Sequence, residues 1–238
     1  MRAYEYSFVI KRPDGNVQIV PVEFKRAALS KSIRITPNIA KQVVRVTFPI
    51  YASRTSAILF LEAKRDWVIK QLEAMPKKLV IKDGAKIPFM GERYKIIGTP
   101  QSRRGVWLED GYMFVSGEPE FLVRRVKDFI KAAARREFAK MAAKYAKKLG
   151  KKPAKISVKD TTSRWGSCSA DGSIVYSWRL AFAPVWVAEY IVAHEVTHLA
   201  HMNHSARFWK RLGEVYQGDV DAAIKWLARN GPSLHLID

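Results

Sequence analysis

Cysteine is almost missing from this 238-residue sequence, in which Cys168 is the single example. One thiol cannot form an internal disulfide, and it cannot build a cysteine-rich zinc site. No apolar run approaches the roughly 20 residues that span a bilayer. The N-terminus has charges scattered through it and lacks the apolar core of a secretory signal. We therefore expect a globular protein of the cytoplasm that does not associate with membranes.

Acidic residues are scarce relative to basic ones. The chain contains 42 Lys and Arg but only 22 Asp and Glu, which gives a formal net charge of +20. Such an excess attracts polyanions, so nucleic acid is a candidate partner. Half of the excess falls between residues 121 and 152, where twelve Lys and Arg accompany Asp128 and Glu137. This stretch is either a phosphate-binding stripe or a basic helix face exposed to solvent.

Strand patterns dominate the first half of the sequence. Two apolar segments flank Pro13, Asp14 and Gly15, which predicts a hairpin with a short turn. A helix is predicted from about Ser53 to Met75, where Pro76 stops it. Further strands are predicted from three apolar segments, "KQVVRVTFP", "RYKIIG" and "GVWLEDGYMFVSG". Residues 1–118 are therefore interpreted as a strand-rich region with one helix.

Helical patterns dominate residues 119–238. Apolar residues from Pro119 to Gly150 recur at the spacing of one helix face. Two or three short strands follow, with a tight turn at Asp171 and Gly172. Three more helices are then predicted: one starting near Pro184, one capped by Ser205 and one ending at Gly231 and Pro232. The fold class predicted for the whole chain is α+β.

Histidine is also rare, and four of the five histidines lie within residues 194–204. His194 and His198 are four residues apart, so both imidazoles leave one helix face, one turn from each other, and can share a metal ion. Zinc suits such a pair together with one more ligand and a water molecule. Glu195 points about 100° around the helix and misses the ligand shell. We expect Glu195 to act as the general base that takes the proton of the attacking water.

The third ligand follows from the rise of the helix. In an unbroken helix His194, His198 and His201 would form a row, with His201 about 10.5 Å along the helix axis from His194. One metal ion cannot bind both ends of this row. His204 becomes suitable only if the helix stops near Met202 and the chain turns back. We therefore predict that His194, His198 and His204 bind the metal, and that His201 has a structural or supporting role. Glu214 is the alternative third ligand.

Four segments of the second half resemble one protein family. These segments are "SRWGSCS", "DGSIVYSWRLAFAP", "YIVAHEVTHL" and "NHSARFW". In this order and spacing they are similar to the YgjP-like metallopeptidases, a group related to the SprT-like zinc proteases. The resemblance implies a zincin-type α+β catalytic region, a zinc cofactor and a protein or peptide substrate. The family's helix histidines and glutamate match His194, His198 and Glu195, and its later histidine matches His204.

Three functions remain open from the sequence. The leading hypothesis is a zinc-dependent peptidase that hydrolyses peptide bonds with Glu195 as base. The second is a metal-dependent hydrolase of a phosphate-containing substrate such as a nucleotide, and the third is a nucleic-acid-associated protein with a structural zinc. The segment from Trp165 to Ser169 is predicted either to pair with the main chain of an extended substrate or to bury Trp165 and Cys168 in the core.

Overall fold

A computed structural model of the chain describes residues 6–11, 15, 17–38, 41–73 and 78–238. The chain divides into two compact units, Met1–Lys77 and Lys78–Asp238. Strands and helices occur in both units, which confirms the predicted α+β class. Among the described helices, none is both long and apolar enough to cross a membrane.

The N-terminal unit is built around a four-stranded sheet. Its strands are β1 (Ser7–Lys11), β2 (Val17–Arg26), β3 (Arg34–Asn38) and β4 (Val43–Phe48). The sheet order is β1-β2-β4-β3, so β3 lies at one edge. Antiparallel pairing of β1 with β2 confirms the predicted hairpin, whose turn residues Pro13 and Asp14 lie outside the described residues.

Two helices cover this sheet, α1 (Arg54–Ala63) and α2 (Arg65–Glu73). The sequence predicts one continuous helix here, but the chain leaves helical geometry at Lys64, where φ is −110° and ψ is 15°. The Lys64 N–H bonds to the carbonyl of Leu61, three residues back instead of the four of an α-helix. This bond tightens the turn and separates the two helices. The predicted helix end at Met75 and Pro76 lies outside the described residues.

The C-terminal unit contains two further sheets and four helices. One sheet has the order β5-β6-β8-β7, with strands β5 (Lys86–Phe89), β6 (Glu92–Thr99), β7 (Val106–Glu109) and β8 (Tyr112–Ser116). The other has the order β10-β11-β9, with strands β9 (Lys155–Lys159), β10 (Gly166–Cys168) and β11 (Ser173–Ser177). The helices are α3 (Leu122–Leu149), α4 (Val185–Thr197), α5 (Ala206–Val215) and α6 (Val220–Leu234).

A single apolar core unites these elements. The stripe of α3 that the sequence predicts is buried, and the helix ends at Gly150 in the left-handed conformation that glycine adopts readily. Ile87, Ile96 and Met113 from β5, β6 and β8 are fully buried in the same core as α3 and α4. The compact units therefore divide after residue 77, whereas the sequence predicts a boundary at residue 118, because patterns of element type do not reveal which strands share a core.

The last helix runs further than the sequence predicts. Instead of ending at Gly231 and Pro232, α6 continues to Leu234 with Pro232 inside it. The buried guanidinium of Arg179 donates hydrogen bonds to the carbonyls of Leu234 and His235 at 3.2 and 3.3 Å. Because these bonds satisfy carbonyls that the helix end leaves open, they offset the loss of the backbone N–H at Pro232.

Candidate metal centre

The centre is built on α4, a helix that is buried on nearly every side. Val187, Val192 and Val196 are fully buried, which anchors the helix in the core. The helix ends at Thr197, and beyond it the N–H groups of Leu199 and Ala200 bond to carbonyls three positions back rather than four. This tightened turn diverts the chain, as predicted, although it begins before Met202.

The reversal of the chain brings three imidazoles together. The ligand nitrogens of His194, His198 and His204 all lie within 4.8 Å of one another. Nε2 of His204 is 2.9 Å from Nε2 of His194. Among the described residues, this is the one group of three or more potential metal-binding side chains that converges. Ser205 occupies the position before α5, as predicted, but its side chain forms no capping hydrogen bond there.

His201 contributes its backbone to the centre, and its ring is not part of the three-imidazole group. The Nδ1–H of His198 donates to the carbonyl oxygen of His201 at 3.0 Å. This bond fixes the tautomer and orientation of the His198 ring, so that its Nε2 is the nitrogen available to a metal. Glu214, the alternative ligand, lies outside the group and forms an ion pair with Arg211 at 2.6 Å.

Phe208 of α5 supports all three imidazoles from below. Its ring is fully buried, and its centroid is 4.9, 4.6 and 4.9 Å from the ring centroids of His194, His198 and His204. Sequence patterns alone do not indicate this contact. The available signal was the position of Phe208 four residues after His204, one turn into the next helix, where its side chain faces back toward the bend.

Burial alters the protonation of the centre. Burial and the neighbouring imidazoles lower the pKa of His194 to about 4, so this ring is neutral at pH 7. Neutral imidazole is the form that binds a metal. Glu195 is only 7% exposed, and burial raises its pKa to about 7 against the opposing positive charge of Arg164. Burial likewise raises the pKa of the Cys168 thiol to about 11, so the thiol stays protonated and is a poor metal ligand.

Glu195 owes its position to a glycine on the neighbouring strand. A Cβ atom placed on Gly166 of β10 would lie 2.5 Å from Cγ and 2.6 Å from Oε1 of Glu195. No side chain larger than hydrogen fits there while Glu195 keeps its place. Gly166 was not singled out from the sequence, although it lies within the "SRWGSCS" segment on which the family resemblance rests.

The back of the same strand is held by α6. Trp165 stacks on His235 with ring centroids 5.0 Å apart and an angle of 24° between the rings. A Cβ atom on Gly231 would lie 2.9 Å from the Trp165 ring, so the helix and the indole are in close contact. The alternative that Trp165 packs against the core is therefore observed. This packing leaves the outer edge of β10 free to pair with another strand, because β10 pairs only with β11 among the described strands.

The raised pKa of Glu195 predicts a pH-dependent cost to stability in the metal-free chain. As pH rises from 4.5 to about 7, the unfolded chain ionises this carboxyl while the folded chain keeps it protonated, so the folded state loses stability. Glu195→Gln removes the titrating group. The variant is expected to match the wild type near pH 4 and to exceed its unfolding free energy by about 3 kcal/mol at pH 8.

Urea unfolding of the chelator-treated proteins across this pH range tests the prediction. Glu214→Gln is the matched control, because Glu214 is exposed and its pKa is lowered by its partner Arg211. This control is expected to show no gain at pH 8. A constant difference between Glu195→Gln and wild type from pH 4 to pH 8 would show that burial does not shift the carboxyl.

The basic face of α3 is partly neutralised within the fold. Lys127 pairs with Asp238, Lys144 pairs with Glu189, and Glu137 pairs with two neighbouring cations. Seven exposed cations of this stretch form no ion pair with a described residue: Arg124, Lys131, Arg135, Lys147, Lys148, Lys151 and Lys152. Binding of nucleic acid to the helix at 121–152 stays a prediction.

Comparison with known proteins agrees with the geometry. A family model described as "YgjP-like, metallopeptidase domain" matches residues 31–230. Because the match covers most of the chain, the protein is assigned to the metallopeptidases. Within that class it belongs to the YgjP-like family, which confirms the resemblance seen in the sequence.

Structural similarity to solved proteins is weak. The metallopeptidase zymogen of Pyrococcus abyssi abylysin shares 17% sequence identity, with a TM-score of 0.35. The similarity covers 39% of this chain and 93% of that one. At this level the likeness carries no argument about the site. No curated protein matches the chain.

Proposed function

We propose that this chain is a zinc-dependent peptidase of the zincin type, with His194, His198 and His204 as ligands and Glu195 as general base. The observation that supports the proposal is the convergence of three imidazoles beside a buried carboxylate on a helix of a metallopeptidase-family protein. The substrate is a protein or a peptide, as the family assignment indicates.

The donor set fits zinc. Three imidazole nitrogens with one remaining position are the arrangement of catalytic rather than structural zinc sites, which use four protein ligands. Cys168 offers no thiolate, and Glu214 is engaged elsewhere. When bound, the ion supplies a Lewis acid that polarises the peptide carbonyl and lowers the pKa of water.

Glu195 moves the proton. A carboxyl group whose pKa lies near 7 can accept a proton from the attacking water at neutral pH and can return it to the departing amine. Its neighbour Gly166 leaves the space that the carboxylate occupies. Among the described residues no hydrogen bond ties the Glu195 carboxylate to another protein group, so its oxygens are available to water and substrate.

The strand β10 provides the substrate-binding wall. It lies at the edge of its sheet, it is in contact with α4, and its outward N–H and C=O groups can pair with an extended peptide. Such pairing would place the scissile bond along the strand, beside Glu195. Extended, unfolded protein segments are therefore the expected substrates.

Metal dependence is tested with purified protein offered unfolded casein, nucleoside triphosphates and DNA. We expect casein cleavage in the presence of zinc, loss of cleavage after chelation, and recovery when zinc is restored. Phosphate release from the nucleotides without protein cleavage would contradict the proposal and favour the phosphohydrolase alternative. DNA binding without turnover of any substrate would favour the structural-zinc alternative.

Gly166→Ala is expected to impair catalysis while leaving the metal in place. The added methyl group would overlap Glu195 and force the carboxylate to shift, because the three atoms nearest to it all belong to Glu195. A displacement on the order of 1 Å in a reacting group costs about 100-fold in rate. The measurement is kcat/KM for casein-derived peptides, together with zinc content by mass spectrometry.

Gly213→Ala is the matched control for this substitution. Gly213 lies on α5, and a Cβ atom there meets nothing within 4 Å, so activity and zinc content should both match the wild type. If Gly166→Ala keeps full activity, Glu195 is not confined by β10 and the proposed wall is wrong.

A further inference from the structure

The N-terminal unit has a groove whose lining contains no residue of the metal centre. The groove has a volume of about 370 Å³. It lies between the edge strand β3 and the helices α1 and α2, and its lining consists of Ile33, Arg34, Ile35, Phe60, Lys64 and Trp67. The position where α1 gives way to α2, at Lys64, forms part of its wall.

The groove exposes two aromatic side chains to solvent. Trp67 is 46% exposed and Phe60 is 36% exposed, although the same helices bury Leu61 and Val68 completely against the sheet. Ile33 and Ile35 add partly buried apolar surface from the strand side. A concave site that presents aromatic and aliphatic surface to water is typical of a binding site, because filling it removes that surface from solvent.

Two cations border this apolar surface. Arg34 and Lys64 line the groove, and neither forms an ion pair with any residue that the structure describes. Their charges attract an acidic group to the rim, next to the aromatic rings. The occupant that matches this chemistry has an apolar side chain flanked by a carboxylate.

The strand edge identifies the occupant as a peptide. β3 pairs with β4 alone among the described strands, so every second residue of β3 directs its N–H and C=O away from the sheet. Pro37 lacks an N–H and cannot donate a hydrogen bond. The residues before it, around Ile35, are therefore the part of β3 that can pair with β4 on one side and with a peptide on the other. A peptide main chain satisfies these groups, whereas a lipid chain does not.

We propose that this groove binds an extended acidic peptide, which adds a strand to β3 and inserts an apolar or aromatic side chain between Phe60 and Trp67. The interaction does not rest on the proposed function, because the groove contains no residue of the metal centre.

The experiment measures peptide binding to the full chain after zinc removal, so that cleavage cannot interfere. The probe is a fluorescein-labelled decapeptide with a central Asp-Phe-Asp-Ile sequence, followed by fluorescence anisotropy. One comparison peptide replaces the aspartates by lysine, and another carries N-methyl groups on alternate amides. We expect the acidic peptide to bind and both comparison peptides to bind at least about tenfold more weakly.

Substitutions in the groove should weaken binding of the acidic peptide. Trp67→Ala and Lys64→Glu are each expected to raise Kd by about tenfold or more. Leu59→Ala and Lys70→Glu are the matched controls, because both residues are exposed on the same helices outside the lining, and both should leave Kd unchanged. Circular dichroism melting curves confirm that the variants are folded.

Three results would overturn the proposal. The first is equal affinity for the acidic and lysine peptides, which would remove the role of Arg34 and Lys64. The second is an unchanged Kd in both Trp67→Ala and Lys64→Glu. The third is full binding of the N-methylated peptide, which would rule out pairing with β3. None of these results bears on zinc binding or peptide hydrolysis by the metal centre.

Discussion

Glu195→Gln is expected to lower kcat/KM for peptide hydrolysis by about 10²–10⁴-fold without loss of zinc. Glutamine has nearly the shape of glutamate and fits the same space beside Gly166, but it cannot accept a proton from the attacking water. The three histidines are unchanged, so the metal should remain at one ion per chain. The measurements are initial rates on an internally quenched peptide and zinc content of the same samples.

The control for this substitution is Glu214→Gln, which removes a carboxylate of the same unit that pairs with Arg211 at the surface. Its activity should match the wild type. If Glu195→Gln retains more than about a tenth of the activity, the proton is taken by another group and the assignment of the base is wrong. Loss of zinc in this variant would instead indicate that Glu195 contributes to metal binding.

His204→Ala is expected to release the metal. The substitution removes one of the three convergent imidazoles, and its effect on affinity should exceed the roughly 10–100-fold loss that follows removal of a supporting hydrogen-bond partner. Peptide hydrolysis should be lost with the metal. Competition with a chromogenic chelator gives the zinc affinity directly, independently of activity.

His201→Ala is the matched comparison, three residues earlier in the same turn. The hydrogen bond from His198 goes to the backbone carbonyl of His201, so alanine can make the same hydrogen bond and zinc should stay bound. Glu214→Ala should also keep the metal. Release of zinc from His201→Ala, with full retention in His204→Ala, would overturn the assignment of the third ligand.

The candidate ligands could be predicted because the relevant physics is local. The four-residue spacing of His194 and His198 fixes one helix face, and the rise of a helix excludes a row that extends to His201. A reversal of the chain before Ser205 then leaves His204 as the residue that can close the set. In the folded chain these three imidazoles lie together.

The supporting residues could not be predicted because they depend on contacts between distant segments. Gly166 matters only because β10 lies against α4, and Phe208 matters only because α5 folds back beneath the histidines. The same limit explains the position of the boundary between the units. Periodicity indicates that Ile96 is buried, but it does not reveal that the surrounding core is shared with α3.

Local signals also failed where tertiary contacts outweigh them. Gly231 and Pro232 predict the end of a helix, yet α6 continues past them because Arg179 bonds to the carbonyls that follow and Trp165 packs closely on Gly231. In the N-terminal unit, the apolar pattern of residues 53–75 is that of one helix and gives no indication of the turn at Lys64.

The contact between Trp165 and His235 implies that the proposed substrate-binding wall is positioned partly by a residue outside it. Trp165, next to strand β10, packs against His235 and against Gly231 of α6, and neither of these residues belongs to the proposed metal centre. Substitutions at His235 are therefore expected to change which side chains the proposed site accepts, with the three histidines and Glu195 unchanged. His235 is therefore a suitable first position for directed evolution of substrate preference, because it contacts the residue next to β10 and not the proposed metal ligands.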